Sequence, residues 1–567
     1  LRLTRGDYRK AQAKSRRALR RREASIGARA ADALRTSPPA RRIPAPRLPP
    51  LCACAHWRTE EVVSRHIDKL RATAVDLRQP ASHAEVRTII FGMLLAMFLA
   101  ALNQTIVAAA LPTIGRDFQD FANLSWVVTA YLLTSTAAAP LYGKLSDIHG
   151  RRAMMLASVG VFVVGSAGCA LAPNMLTLVL GRALQGLGGG GILPLAQAII
   201  ADVVAPRERG RWQAYMGSVW VSAGIAGPVF GGFLADHAHW SFVFWINVPL
   251  GLLAALLSHL LLQRLPRHER PHRLDLLGAL LLIAGALPLL LALTWGGVRY
   301  PWLSLPIVLL IAASALASLA FAHRMRSAPE PFLPVSVLNN PVMRWGTAAS
   351  AFAQGTAIGL TIFAPLYYEL VHRLSASSSG LALIAIVVST TPGSILSGRV
   401  MMAFPRYKWV PLVGLTLAIA ALTVLAAHPT MPVVGVIAVL AVAGLGIGST
   451  YPVATVSIQN AVPRGEVGVA MGAMNFFRAL SAALTVAVMG AIVLAGLGTA
   501  PERGVGAGAI AGSLAVSRLD AAHTFGWVFA AAAAFLAAAL FSILRMEERP
   551  LRAAIEPVQT PPPGPAE

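Results

Sequence analysis

Apolar residues in this chain come in long unbroken blocks, not in the alternation of a half-buried strand or the narrow stripe of a surface helix. The first eight blocks lie near 88–111, 123–142, 153–172, 175–201, 212–234, 241–262, 274–294 and 302–322. Six more follow near 343–365, 379–399, 408–427, 431–458, 467–495 and 524–544. Each is close to the ~20 residues that a helix rising 1.5 Å per residue needs to cross a bilayer. Hydrocarbon offers no partner for a free N–H or C=O, so such segments must be helical. The pattern predicts an all-α polytopic membrane protein with fourteen transmembrane helices. The least distinct boundary is within 431–495, where Gly and Pro interrupt one apolar stretch.

The basic residues orient the helices. With both termini inside the cell, the loops and tail on the cytoplasmic side hold 20 Lys and Arg, and the opposite loops hold five, Arg116, Arg299, Arg373, Arg503 and Arg518. That asymmetry supports an even number of spans, because an odd count would scramble the alternation. The expected location is a bacterial inner membrane, with both termini cytoplasmic.

Two passages repeat. Pro194 to Gly217 closes span four, runs through Pro206-Arg207 and opens span five, and Pro452 to Gly472 does the same between spans twelve and thirteen. A match eight spans apart fits two six-helix bundles with two helices inserted between them, the architecture of paired repeats around a central site. The predicted organisation is a basic N-terminal extension at 1–87, a bundle at 88–262, two inserted helices and a linker at 263–342, a second bundle at 343–545 and a tail at 546–567.

Composition agrees and adds little. Of the 567 residues 56% are hydrophobic and 13% charged, against ~25% charged in soluble proteins. The net charge of +23 is concentrated in residues 1–87, which hold 21 Lys and Arg against 8 Asp and Glu. That segment has no apolar stripe able to build a core and is expected to be disordered, as is the C-terminal tail. The chain opens on Leu1, which suggests a start placed too far upstream or a partial chain. Cys52, Cys54 and Cys169 give no disulfide framework, and Cys52-x-Cys54 beside His56 is an incomplete metal set, so no metal and no cofactor are expected. There is no Walker loop, and Gly186 to Gly191 lies inside span four, where glycines serve helix packing. A catalytic enzyme and a nucleic-acid partner are therefore not expected.

Five segments carry a resemblance. After span two comes Gly143-Lys144-Leu145-Ser146-Asp147-Ile148-His149-Gly150-Arg151-Arg152, in which two glycines suit a tight turn and a carboxylate faces cations. Span four has Arg182-Ala183-Leu184-Gln185-Gly186, an arginine inside an apolar helix with Gln185 on the same face. Span five has Gly224, Gly227, Pro228, Gly231 and Gly232, with small residues Ala223, Gly227 and Gly231 every fourth position, so a neighbour can approach closely. Span one has Leu102-Asn103-Gln104-Thr105-Ile106-Val107, and span six opens on Phe244-Trp245-Ile246-Asn247-Val248-Pro249. Together, and in their order along the chain, they resemble the major facilitator superfamily, and within it the fourteen-span drug:proton antiporters.

The resemblance implies that Asp147, with Arg151, Gly143 and Gly150, forms a cytoplasmic gate loop that latches the bundles together. It implies a proton-transfer role for Arg182, and export through the span-five motif. The family usually has an aspartate where Asn103 stands, and Asn cannot ionise, so proton coupling rests here on kinship alone. The other acids lie toward span ends, and Arg478 is the second intramembrane ion, with no evident partner in sequence. Asn103, Gln104, Arg182 and Gln185 are expected to line a central cavity, with Trp126 and Tyr131 as its aromatic wall. The expected function is proton-driven export of small amphiphilic drugs from the cytoplasm, with substrate, protons and the lipid bilayer as partners. Export of an endogenous metabolite or siderophore is the alternative on the same fold, and a transport-inactive sensor or scaffold the alternative of another class. Some such exporters take a periplasmic adaptor, which nothing in this sequence indicates.

Overall fold

All fourteen apolar blocks are helices long enough to cross a membrane. A computed structural model describes residues 83–120, 123–264, 274–497 and 518–551. The expectation for the extension at 1–87 lies almost entirely outside the described residues. The first bundle comprises α1 (His83–Phe118), α2 (Leu124–His149), α3 (Arg151–Ala170), α4 (Met175–Val203), α5 (Pro206–His237) and α6 (Phe242–Leu261). Two helices follow, α7 (Leu276–Trp295) and α8 (Leu305–Ser327). The second bundle comprises α9 (Pro341–His372), α10 (Ala376–Ala403), α11 (Trp409–Ala427), α12 (Val433–Ala461), α13 (Val467–Leu497) and α14 (Arg518–Arg545).

Several helices outrun their apolar blocks, because polar residues at the ends continue the hydrogen-bond ladder into water and headgroups. Local chemistry sets many of the starts. Asn174, Asp275, Asn340 and Ser375 each accept a hydrogen bond from a free N–H of the first turn of α4, α7, α9 and α10. The uncertain stretch at 431–495 is divided at Pro463, with a single 3₁₀ turn over Arg464–Glu466 before α13 begins.

The turn after α2 differs from its expected form. Helix α2 continues through Gly143 to His149, and Gly150 alone links it to α3, at φ 88. Only Gly150 needs the freedom of glycine for its backbone. Gly143 is a packing residue: a methyl group there would meet the backbone of Gly468 and Gly472 on α13.

Helices α1–α6 pack on one another, as do α9–α14, while α7 and α8 form a hairpin whose α7 touches α2 and α13. The bundles meet through two main crossings, α2 on α13 and α5 on α10. Since α10 occupies in the second bundle the place of α2 in the first, and α13 that of α5, the crossings are related by the internal repeat. Glycines let helices approach within each bundle too. On α4, Gly186 and Gly190 face α2, and Gly188 faces Phe162 and Ser158 of α3. At the chain's other end, part of the expected tail is ordered. The Glu548 carboxylate accepts bonds from the N–H groups of Tyr407 (2.6 Å) and Lys408 (2.9 Å) at the start of α11.

Candidate functional site

The α2–α13 crossing is closed by a carboxylate. Asp147, 8% exposed, accepts bonds from the backbone N–H of Gly468 (3.1 Å) and Val469 (2.8 Å). These are first-turn N–H groups of α13, unsatisfied within their own helix and at its positive end, so a negative acceptor suits them twice over. Asp147 also accepts from Arg151 Nη1 at 2.5 Å, while Arg151 Nε donates to Asp202 at 2.8 Å at the end of α4. Four helix ends are thus tied in one chain of charges. Arg151 is placed by its position at the start of α3, directly after the Gly150 turn.

About two turns deeper along α13, neutral amides repeat the closure. Asn475 of α13 donates to Gln197 Oε1 of α4 at 2.6 Å, and Gln459 of α12 donates to the Gln197 carbonyl at 2.9 Å. Sequence reasoning passed over these residues. The available signal was that Gln197 and Gln459 are intramembrane amides inside the repeated passages.

The α5–α10 crossing shows where closure ends. Gly210, Gly217 and Gly224 are seven residues apart and so share one face of α5. A methyl at Gly210 would lie 2.9 Å from Gly398 Cα of α10, one at Gly217 would reach only Ser394 Oγ at 3.9 Å, and one at Gly224 would meet nothing within 4 Å. The bundles touch at the Asp147 end and separate toward the other.

The expected cavity-lining group is instead internal to the first bundle. Arg182 is 1% exposed and donates to the Val127 carbonyl (2.8 Å) and to Gln185 Oε1 (2.5 Å). Its guanidinium lies 4.4 Å from the Tyr131 ring centroid, a cation–π contact. Gln185 donates to Asn103 (3.0 Å) and Ser166 (2.6 Å), and Asn247 donates to Asn103 (3.1 Å). Three of the sequence motifs, on α1, α4 and α6, therefore converge on one buried network. Gln104 is only half-buried, next to it. Of the two expected wall aromatics, Tyr131 lies beneath Arg182, and Trp126 packs edge-on against Trp295 of α7 with centroids 5.5 Å apart. The span-five stripe serves α1: Thr105 Oγ1 donates to the Ala223 carbonyl at 2.9 Å, and Gly227 and Gly231 sit against Thr105 and Ile106. Gly224 and Gly232 face open space, and α5 stays helical through Pro228.

The sequence profile of the Major Facilitator Superfamily matches residues 93–486. The chain belongs to this superfamily. It is 31% identical over 405 residues, 71% of this chain and 75% of the relative, to the multidrug transporter protein MdtP of Bacillus subtilis (strain 168). It is 32% identical over 412 residues, 71% of this chain and 77% of the relative, to the multidrug resistance protein fnx1 of Schizosaccharomyces pombe. Among solved folds, the human organic anion transporter MFSD10 (TETRAN) superposes with a TM-score of 0.58 at 16% identity, covering 82% of this chain and 100% of that one. At that identity the likeness concerns the fold.

In this major facilitator chain the buried Arg182 has a measurable structural role. Arg182→Ala removes the charge-assisted bonds to the Val127 carbonyl, which keeps its place in the α2 ladder, and to Gln185 Oε1, which keeps only the weak donor Cys169 Sγ, at about 1.5–3 kcal/mol for each bond lost. The variant is expected to enter the membrane, unfold at a lower temperature in detergent, and lose export. Native melting together with native efflux would remove Arg182 from both roles.

Proposed function

We propose that this transporter exports small amphiphilic molecules from the cytoplasm by alternating access, coupled to protons by antiport. In this reading the protein lies in a bacterial inner membrane with the Asp147 end cytoplasmic, and the conformation described is the one open to the outside. One observation supports it above the others: the bundles are latched at one end by Asp147 and part progressively along α5 toward the other. A protein built to rock between two openings needs a closure made of bonds that can break without breaking either bundle, and the Asp147 and Gln197 contacts are of that kind. The multidrug transporter and multidrug resistance names of the relatives at 31% and 32% identity favour export over uptake.

Substrate-induced pH change in inverted vesicles tests the coupling. Native protein is expected to release protons from the lumen as substrate is taken up. Asn103→Asp, which sets an ionisable group beside Gln185 and one step from Arg182, is expected to enlarge that signal. Substrate uptake with no proton movement in either protein would end the antiport part of the reading, and no uptake at all would end the export part.

A further inference from the structure

Arg478 of α13 is the second cation within the membrane-spanning region, and its surroundings differ from those of Arg182. Along α13, Gly468, Gly472 and Asn475 meet the first bundle in succession, through Asp147, through the backbone of Ala139 and Pro140, and through Gln197. Arg478 is three residues beyond Asn475, at the edge of the same face, past the last of these contacts. It is half-buried, and its partners belong to its own bundle: Nε donates to Ser350 Oγ of α9, and the guanidinium lies 5.0 Å from the Tyr451 ring centroid of α12. Neither terminal guanidinium nitrogen bonds a described residue, and neither is sealed from the surroundings.

Among the described residues Arg478 is in no ion pair, nor is Arg182. Every Asp and Glu of the described spans lies within a turn or two of a helix end. Helix α13 itself holds none, and Glu466, in the 3₁₀ turn before it, is twelve residues and ~18 Å away along the axis. Past the last cross-bundle contact on α13 there is thus a guanidinium whose two terminal nitrogens bond no described residue, with an aromatic face beside it and no carboxylate paired with it among the described residues. In a medium of low dielectric such a fork selects a planar or tetrahedral oxyanion and repels cations.

We propose that the cargo of this transporter is an anionic amphiphile whose acid group docks on Arg478, just above the Asn475–Gln197 floor. The proposal rests on the export reading for its biological meaning, but the site itself is a matter of binding. The full chain, purified in detergent and reconstituted, is to be titrated with 8-anilino-1-naphthalenesulfonate, with its uncharged parent N-phenyl-1-naphthylamine, and with the cation ethidium. The sulfonate is expected to bind saturably and more tightly than the other two. Arg478→Gln is expected to lower the ratio of sulfonate to parent affinity at least tenfold, and Arg478→Lys to restore most of it. A ratio unchanged in Arg478→Gln, equal weakening of both ligands, no saturable sulfonate binding, or preference for ethidium would each overturn the proposal. Transport in the same vesicles separates the two readings. Arg478-dependent binding without flux would sink export and leave the anion site, whereas flux of the parent or ethidium without sulfonate preference would sink the site and leave export.

Discussion

Asp147→Asn is expected to open the closed end and cut export by one to two orders of magnitude, while the protein remains folded in the membrane. The carboxylate accepts two backbone bonds from α13 across the bundle boundary. Hydrogen bonds to a charged group contribute about 1.5–3 kcal/mol each. An amide keeps one acceptor oxygen, but it turns an N–H toward a helix start that already presents donors, and it removes the charge that the positive end of α13 favours. A net loss of about 2–4 kcal/mol shifts a two-state equilibrium by roughly 30- to 1000-fold, enough to turn a closed state favoured about tenfold into the minor one. Arg151 would keep Asp202, so the first bundle is not left with an unpaired buried cation.

Cross-linking reads this directly. Arg207 of α5 donates to the Met402 carbonyl of α10 at 2.7 Å, across the other crossing at the same end. With cysteines at 207 and 402 and a short bis-maleimide, the cross-linked fraction is expected to fall sharply in Asp147→Asn. Undiminished cross-linking and export would show that the glycine crossings hold the end shut without the carboxylate.

The parts of this molecule that lipid enforces were legible in its sequence. Span number and helical state follow from the thickness of hydrocarbon and its lack of hydrogen-bond partners, so fourteen blocks became fourteen helices. Asp147 stood out through the family resemblance, on the spacing of Gly143, Asp147, Gly150 and Arg151, and its carboxylate lies on the first turn of α13. Neighbourhood was harder to read. In a soluble helix the apolar stripe names the buried face, but a membrane helix is apolar nearly all round, and the side of α4 that carries Arg182 and Gln185 could equally face a chamber or its own bundle. The structure turns it inward onto Tyr131 and Asn103. Gln197 and Asn475 went unread for a related reason: a neutral amide in such a helix looks the same whether it bonds its own bundle or the other. Gly143 was read as a turn residue because the polar residues after it suggest a loop, yet α2 keeps its hydrogen bonds through them.

Anionic cargo changes what the membrane potential does for this transporter, and the effect is large enough to count charges. Moving one elementary charge through the full membrane field is worth ~2.3 kcal/mol per 100 mV, about a fifty-fold concentration ratio. An anion leaving an inside-negative cell carries one such charge downhill, and a proton entering in exchange carries a second. In inverted vesicles with valinomycin-clamped potentials and equal pH on both sides, 8-anilino-1-naphthalenesulfonate is monovalent at every pH of interest. One-for-one antiport then predicts a steady-state ratio that changes ~2500-fold per 100 mV of lumen-positive potential, two charges at ~2.3 kcal/mol each. A slope of only ~50-fold would mean that the anion moves without a proton, as expected if Asn103, which cannot ionise, leaves no carrier for one. The uncharged parent, which gains nothing from the field itself, is expected to respond at most to the single proton charge. A sulfonate distribution indifferent to voltage would contradict net movement of charge by either route, and with it the export of an anion on Arg478.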